Sequence, residues 1–250
     1  MKIAVCIKRV PDTETRIKVG ADGKGLDEAG VKFILNPYDE YAVEEALQRK
    51  EKAGGEVVVV TVGGDAAQET MRTALAMGCD RGVLLKAEGG VPADGLATAK
   101  ALAAELKDGG YDLILFGKLA VDDYNHQVGV MVAELLGLPC VSSVAKLAIE
   151  GGTATAEREV EGGTEVVDFA LPAVLTCDKG LNTPRYPALK GIMAAKKKPI
   201  EVKPAQLGAA RIAVRALALP PERKEGRIVG EGPGAVPELV RLLQTEAKVL

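Results

Sequence analysis

Asp122 and Asp123 stand side by side just beyond the apolar run Leu113–Phe116, with Lys118, Asn125, His126 and Gln127 close by in sequence. Neighbouring carboxylates can hold a cation or share acid–base work. At a strand–helix corner they more often cap a helix, and no catalytic role is assigned to them. Lys118 follows one glycine and precedes Leu119, so it is not the lysine of a phosphate-binding P-loop. There is no G-x-S-x-G elbow, His126 is the one histidine, and no His, Cys and Asp set has metal-ligand spacing. The expectation is therefore no catalytic residue and no metal. A nucleotide site is the better reading. The loop Gly117–Val128 leaves a strand and enters a helix start, where free N–H groups and the helix dipole favour phosphate. Gly63-Gly64 lets main chain approach a ligand closely, and Asn36 and Tyr38 could reach the same crevice. Asn125 and Gln127 read either as ligand contacts or as helix caps. His126 reads as a surface residue or a phosphate contact.

The elements that must position these residues alternate. Lys2–Ile7 is predicted as a strand, and Val31–Leu35 as extended. Asn36-Pro37 then opens a helix to about Lys52, with Asn36 as N-cap, Pro37 at the first helical position and Asp39 and Glu40 in the first turn. Glu56–Val62 reads as a strand buried on both faces. A helix to Met77 follows, with Asp65 and Gln68 resembling a capping box. Val83–Leu85 and Leu113–Phe116 are further strands, Asp94 caps a helix to Lys107, and another helix covers about His126 to Leu136. This alternation implies a parallel sheet covered on both faces, with ligands beyond the carboxyl ends of its strands. From Val144 the pattern changes: Ala145–Ile149 and Thr153–Val160 flank Gly151-Gly152 as a hairpin, then come strands Glu165–Ala170 and Ala173–Cys177.

The stretch Asn182–Pro199 has three prolines, which favour a stiff, protruding loop over a long helix or strand. Tyr186, Leu189, Ile192 and Met193 offered to solvent read as a protein-docking device. Between Asn182 and Pro204 six basic residues (Arg185, Lys190, Lys196, Lys197, Lys198, Lys203) face Glu201 alone. From about Ile200 a Pro- and Gly-rich tail reads as an arm around a neighbouring subunit or a loosely tethered terminus. It closes with an amphipathic segment, Pro237–Lys248.

Bulk properties narrow the classes. With 250 residues, 47% hydrophobic and 27% charged, the chain can bury a sizeable core. A net charge of −3 and three Phe, five Tyr and no Trp argue against nucleic-acid binding. No apolar run is long enough to span a membrane, and the N-terminal Met1–Lys8 reads as a strand rather than a secretory signal. Cys6, Cys79, Cys140 and Cys177 read as buried thiols of a reducing compartment.

Two stretches carry a resemblance. Ala156–Glu165 (A-E-R-E-V-E-G-G-T-E) followed by Leu171–Thr176 (L-P-A-V-L-T) resembles the signature of the electron transfer flavoprotein β subunits, and Leu181–Pro199 resembles their recognition loop. Cys6–Asp12, Asn36–Asp39 and Thr73–Gly82 also fit, in order and with the family's spacing. The resemblance implies an α/β fold with a Rossmann-like, adenine-nucleotide α-hydrolase-like parallel sheet, a β-hairpin extension and a C-terminal arm. It divides the chain into an α/β domain at 1–199, including the loop 182–199, and an arm at 200–250 that wraps an α subunit. It implies a structural AMP, with contacts at Cys6, Asn36, Pro37, Tyr38, Asp39, Val62, Gly117, Lys118, Leu119, Ala120, Val121, Asp122, Asp123, Tyr124, Asn125, His126, Gln127 and Val128. Tyr38 and Thr13 would face the flavin.

The resemblance further implies an electron carrier of fatty acid oxidation rather than an enzyme. Its FAD would be shared with, and mainly bound by, the α subunit of the heterodimer. Acyl-CoA and related dehydrogenases would dock through Arg185, Tyr186, Leu189, Ile192 and Met193, and Glu159 would pair with an α-subunit arginine. A membrane quinone oxidoreductase would be the acceptor, with the protein itself cytoplasmic, or in the mitochondrial matrix if eukaryotic. One departure is Asn125-His126-Gln127-Val128-Gly129, where AMP-binding members have N-Q-T-G. Electron-bifurcating members, which hold a second FAD instead, share Q-V-G but carry smaller residues where Tyr124 and Asn125 stand; AMP is favoured.

Overall fold

The structure, a computed structural model, describes residues 1–222 and 225–250. It divides into a large unit, Met1–Ala216, and a small one, Leu217–Leu250. In the large unit the chain runs β1 (Lys2–Cys6), β2 (Arg9–Pro11), β3 (Phe33–Leu35), α1 (Pro37–Ala53), β4 (Glu56–Gly63), α2 (Ala67–Met77), β5 (Arg81–Lys86) and α3 (Gly95–Leu106). It continues through β6 (Leu113–Gly117), α4 (Val128–Leu136), β7 (Cys140–Glu150), β8 (Thr153–Val160), β9 (Gly163–Ala170), β10 (Ala173–Cys177), α5 (Leu189–Ala195) and β11 (Ile200–Pro204).

Nine strands form one sheet in the order β11-β5-β4-β1-β6-β10-β7-β8-β9. From β11 to β7 every neighbouring pair is parallel, and β8 and β9 extend the sheet from β7 by antiparallel pairing. Helices cover both faces. Ile3, Val5, Val57 and Val59 pack with Val43, Met71 and Leu75 of α1 and α2. Ala4, Val58 and Val60 pack with Leu102 and Val132 of α3 and α4. Strands buried on both faces explain why Val57–Val60 reads as an unbroken apolar run rather than an alternating one. From β1 the chain lays β4 and β5 to one side, then returns to place β6 on the other. The order therefore reverses at β1 and opens a crevice at the carboxyl ends there.

Several expectations shift. The segment after 199 enters the sheet as β11, paired with β5, so the arm does not begin at 200; the peptide groups of 200–204 find ladder partners despite the flanking prolines. Part of the docking loop is helical, because α5 starts just past Pro187 and packs along α2. Asp65 and Gln68 form no capping box: α2 starts at Ala67 without a side-chain cap, and Asp65 pairs with Lys86 at 2.8 Å. Asn36 precedes α1 but its side chain caps nothing there; other partners engage it. Helix α4 begins at Val128, after a turn in which Tyr124 and His126 take positive φ. Asp94 does cap α3, accepting from Leu96 N at 3.0 Å. Cys6, Cys79 and Cys177 are buried, whereas Cys140 at the start of β7 is exposed.

The small unit holds α6 (Val236–Leu242), which runs on into a wider π turn at Leu243–Ala247. Its ion pairs, Arg241–Glu238 and Arg227–Glu246, are exposed and contribute little. Among the described residues no helix is long and apolar enough to cross a membrane.

Candidate functional site

The carboxyl ends of β1, β4 and β6 and the starts of α2, α3 and α4 enclose a crevice of about 510 Å³. That lies within the range of roughly 300–1,000 Å³ typical of small-molecule sites. Its apolar lining includes Cys6, Val62, Leu102 and Phe116. Gly63, Gly64, Gly95, Gly117 and Gly129 also line it.

The crevice keeps its shape through a buried polar pair beneath it. Asn36 donates from Nδ2 to Leu119 O at 2.8 Å and to Asp39 Oδ1 at 2.9 Å, and accepts from Val121 N at 3.1 Å. Asp39 accepts from Lys8 N at 2.7 Å and Gly117 N at 3.1 Å. One pair thus ties the end of β1, the end of β6 and the following loop. Burial pushes the Asp39 carboxyl up to about 7, against the pull of Asn36, Lys8 N and Gly117 N. Burial beside Asp39 also pushes the Cys6 thiol well up, so it is an inert wall and not a nucleophile. Glycine is required at 117, where a Cβ would stand 2.3 Å from Asp39 Oδ1.

The charges at the mouth are mostly spoken for. Lys8 Nζ bonds Asp122 at 2.8 Å and Asp123 at 3.0 Å, and Lys118 Nζ bonds Asp178 at 2.7 Å while lying 5.5 Å from the Tyr38 ring centre. Burial alone would lower the Lys8 ammonium, but the two carboxylates outweigh it and raise it. Asp122 and Asp123 therefore do not cap α4; they clasp Lys8 and shape the loop, with Asp123 accepting from Asn125 N at 3.1 Å. With both lysines paired, the donors that remain for an anion are main-chain N–H groups and, at the lining, Arg9, whose guanidinium lies over the Phe33 ring. Helix α4 has no side-chain cap, so its first N–H groups point at the crevice unclaimed by any side chain, while α3 is already capped by Asp94. Apolar walls, close glycines and an open helix start fit a nucleoside monophosphate.

Most of the expected contact residues line this space: Cys6, Asp39, Val62, Gly117, Lys118, Leu119, Ala120, Asp122, Asp123, Asn125, His126, Gln127 and Val128. Asn36, Pro37, Tyr38, Val121 and Tyr124 do not. Asn36 stands behind the wall, 1% exposed, and Tyr124 turns outward at 62% exposure. Sequence reasoning passed over Val91–Gly95 and Thr98, which close the side at α3; the capping Asp94 was a signal that this helix start also faces the strand ends.

The docking segment lies elsewhere. Tyr186, Leu189, Ile192 and Met193 are all exposed, Tyr186 at 96% and Leu189 at 75%. Arg185, expected among the docking residues, is half-buried: its guanidinium bonds Glu44 at 2.8 and 3.0 Å and also reaches Glu51. Of the basic run, Lys196 and Lys197 are exposed, whereas Lys198 turns in to the carbonyls of Leu75 (2.9 Å) and Cys79 at the end of α2. Glu159 is exposed near the tip of the β8–β9 hairpin, opposite Thr164.

Comparison with known proteins places these features in a family. The model of the electron transfer flavoprotein domain matches residues 24–207. The chain is similar to the electron transfer flavoprotein subunit beta of Bacillus subtilis, 44% identical over 259 residues and the full length of both chains. It is 45% identical to that of Bradyrhizobium diazoefficiens, again over all of both chains. It is 42% identical to that of Homo sapiens, over 90% of this chain and 91% of the human one.

Proposed function

Because this chain belongs to the electron transfer flavoprotein β subunits, we propose that it works as the non-catalytic half of a heterodimeric electron carrier. It binds AMP as a structural ligand, cradles the FAD-bearing domain of an α subunit and docks acyl-CoA dehydrogenases. FAD, when bound, supplies the electron transfer, and a membrane quinone oxidoreductase takes the electrons onward. This chain's residues bind and position.

The observation that carries the reading is the crevice of about 510 Å³ at the sheet's reversal point, with the uncapped start of α4 at its rim. Phosphate would lie on the N–H groups at Val128 and Gly129, and the base against Cys6, Val62 and Phe116. Asn36 would hold the walls from behind, through its bond to Asp39, which itself lines the crevice within reach of the ligand. Docking is supported by the exposed row Tyr186, Leu189, Ile192 and Met193, since a fully buried Leu supplies ~1.5–3 kcal/mol. That suits a carrier that must release each visitor. Glu159, exposed at the hairpin, is available to an α-subunit arginine, and the segment from Leu217 is available as a wrapping arm.

Releasing and identifying the nucleotides of the purified heterodimer tests this directly. One FAD and one AMP per heterodimer is the expected result. Two FAD would favour a second reading, a bifurcating flavoprotein, to which Gln127-Val128-Gly129 points; a heterodimer assembled at full yield with no AMP or second FAD would sink the structural role. The working place that goes with this function is the cytoplasm, or the mitochondrial matrix in a eukaryote.

A further inference from the structure

We propose that Glu44 and Arg72 are positioning residues for docking: from two different helices they hold segment 182–198 in its partner-ready form before any partner arrives. The inference rests on the docking reading above. At the leading end, Arg185 forms a two-point contact with Glu44, which is 4% exposed, and its main-chain N–H reaches the same carboxylate at 3.2 Å. Glu51 takes the remaining face of the guanidinium. Burial would raise the Glu44 carboxyl, but the hydrogen bonds from Arg185 and Gln48 prevail and lower it, so it is charged at neutral pH. Asn182 adds bonds to Tyr41 O at 3.0 Å and Glu45 at 3.1 Å.

At the trailing end, Arg72 donates to Lys198 O at 2.6 Å and to Ala195 O, the last residue of α5. Lys198 reaches back to the end of α2. Between these pins α5 lies flush on α2: a Cβ at Gly191 would stand 2.4 Å from Ala76 O, and Ala195 is 2% exposed. On the outward side Tyr186, Leu189, Ile192 and Met193 stand exposed, with Lys190, Lys196 and Lys197 beside them. Two-point contacts to a buried carboxylate hold far better than ordinary surface pairs. A segment already ordered does not incur the ordering cost when it binds, so the inward polar residues set how well the outward apolar ones work.

The test uses the heterodimer, with amide hydrogen exchange over 183–197 and the Kd for an acyl-CoA dehydrogenase as readouts. Glu44→Gln at one end and Arg72→Gln at the other should each speed exchange in the segment and weaken docking about three- to tenfold. Neither side chain faces the partner. Their effect should therefore shrink when combined with Leu189→Ala, because a pin matters less once the anchor it presents is gone. A folded Glu44→Gln or Arg72→Gln protein with faster exchange but unchanged Kd would overturn the proposal, as would unchanged exchange or full additivity with Leu189→Ala. If Leu189→Ala itself leaves the Kd unchanged, the docking reading fails and this proposal goes with it; a weakened Leu189→Ala beside neutral pins sinks this proposal alone.

Discussion

At the crevice, buried Asn36 and Asp39 turn their side chains to main-chain groups at the ends of β1 and β6 and in the loop after β6, and the walls left to the ligand are largely apolar groups and main chain. At the docking face the arrangement is reversed: polar side chains face inward to grip a loop, and the apolar ones are left outside. A recess that closes around one small molecule must be rigid and satisfied within. A face that meets large visitors can leave its apolar groups bare only if they are few and held still. The same two helices serve both, since Asp39 and Ala67 near the starts of α1 and α2 line the crevice, while Glu51 and Leu75 near their ends hold the loop.

Damage to the two regions should separate cleanly. The largest effect belongs to Gly117→Ala: a methyl 2.3 Å from Asp39 Oδ1 and 2.7 Å from Asp39 N forces main chain apart. It should cost about 3 kcal/mol and abolish nucleotide retention while exchange in 183–197 stays unchanged. Urea unfolding and nucleotide analysis would check it. Next is Asn36→Ala, which strips Val121 N and Leu119 O of a buried partner. About 2 kcal/mol of stability should go, with Asp39 driven further up for want of a donor, readable by NMR titration.

Leu189→Ala should leave the unfolding curve unmoved, since the side chain is 75% exposed. Docking to a dehydrogenase should nevertheless weaken by about 2 kcal/mol, roughly thirtyfold. A variant that melts early, or docks normally, would blur the contrast between the regions. Acidity gives a gradual signal, read as a slope per pH unit rather than as one loss. Asp39 sits at about 7 in the folded chain against an ordinary 3.8, so between those values the native state binds more protons than the unfolded one. Its contribution to stability therefore falls as pH rises from about 4 to about 7, by at most about 1.4 kcal/mol per unit. Asp39→Asn should flatten that slope relative to the wild type. Smallest of all, Lys196→Ala with Lys197→Ala should shift stability by no more than about 0.5 kcal/mol, with any change confined to the salt dependence of docking rates.

Much of this was legible in the residues. Val57–Val60, Leu113–Phe116 and the Asn36-Pro37 helix start announce a sheet covered on both faces, and the loops after Cys6, Val62 and Phe116 meet where strand order predicts. What escaped depends on partners far away in sequence. Asn36 looks like a cap until Val121 folds over it, 85 residues on. Arg185 and Lys198 look like a solvated basic patch until α1 and α2 present a carboxylate and free carbonyls. Strand β11 hides between prolines because edge pairing with β5, not intrinsic propensity, forms it.

The inward grip of Glu44, Glu51 and Arg72 also limits modularity. Grafting residues 182–198 into another β subunit would transfer the hydrophobic handle but not its bearings. A chimera that omitted the matching acid and arginine of the host helices would inherit a limp tether, so partner preference in this fold has to be exchanged as loop and helices together.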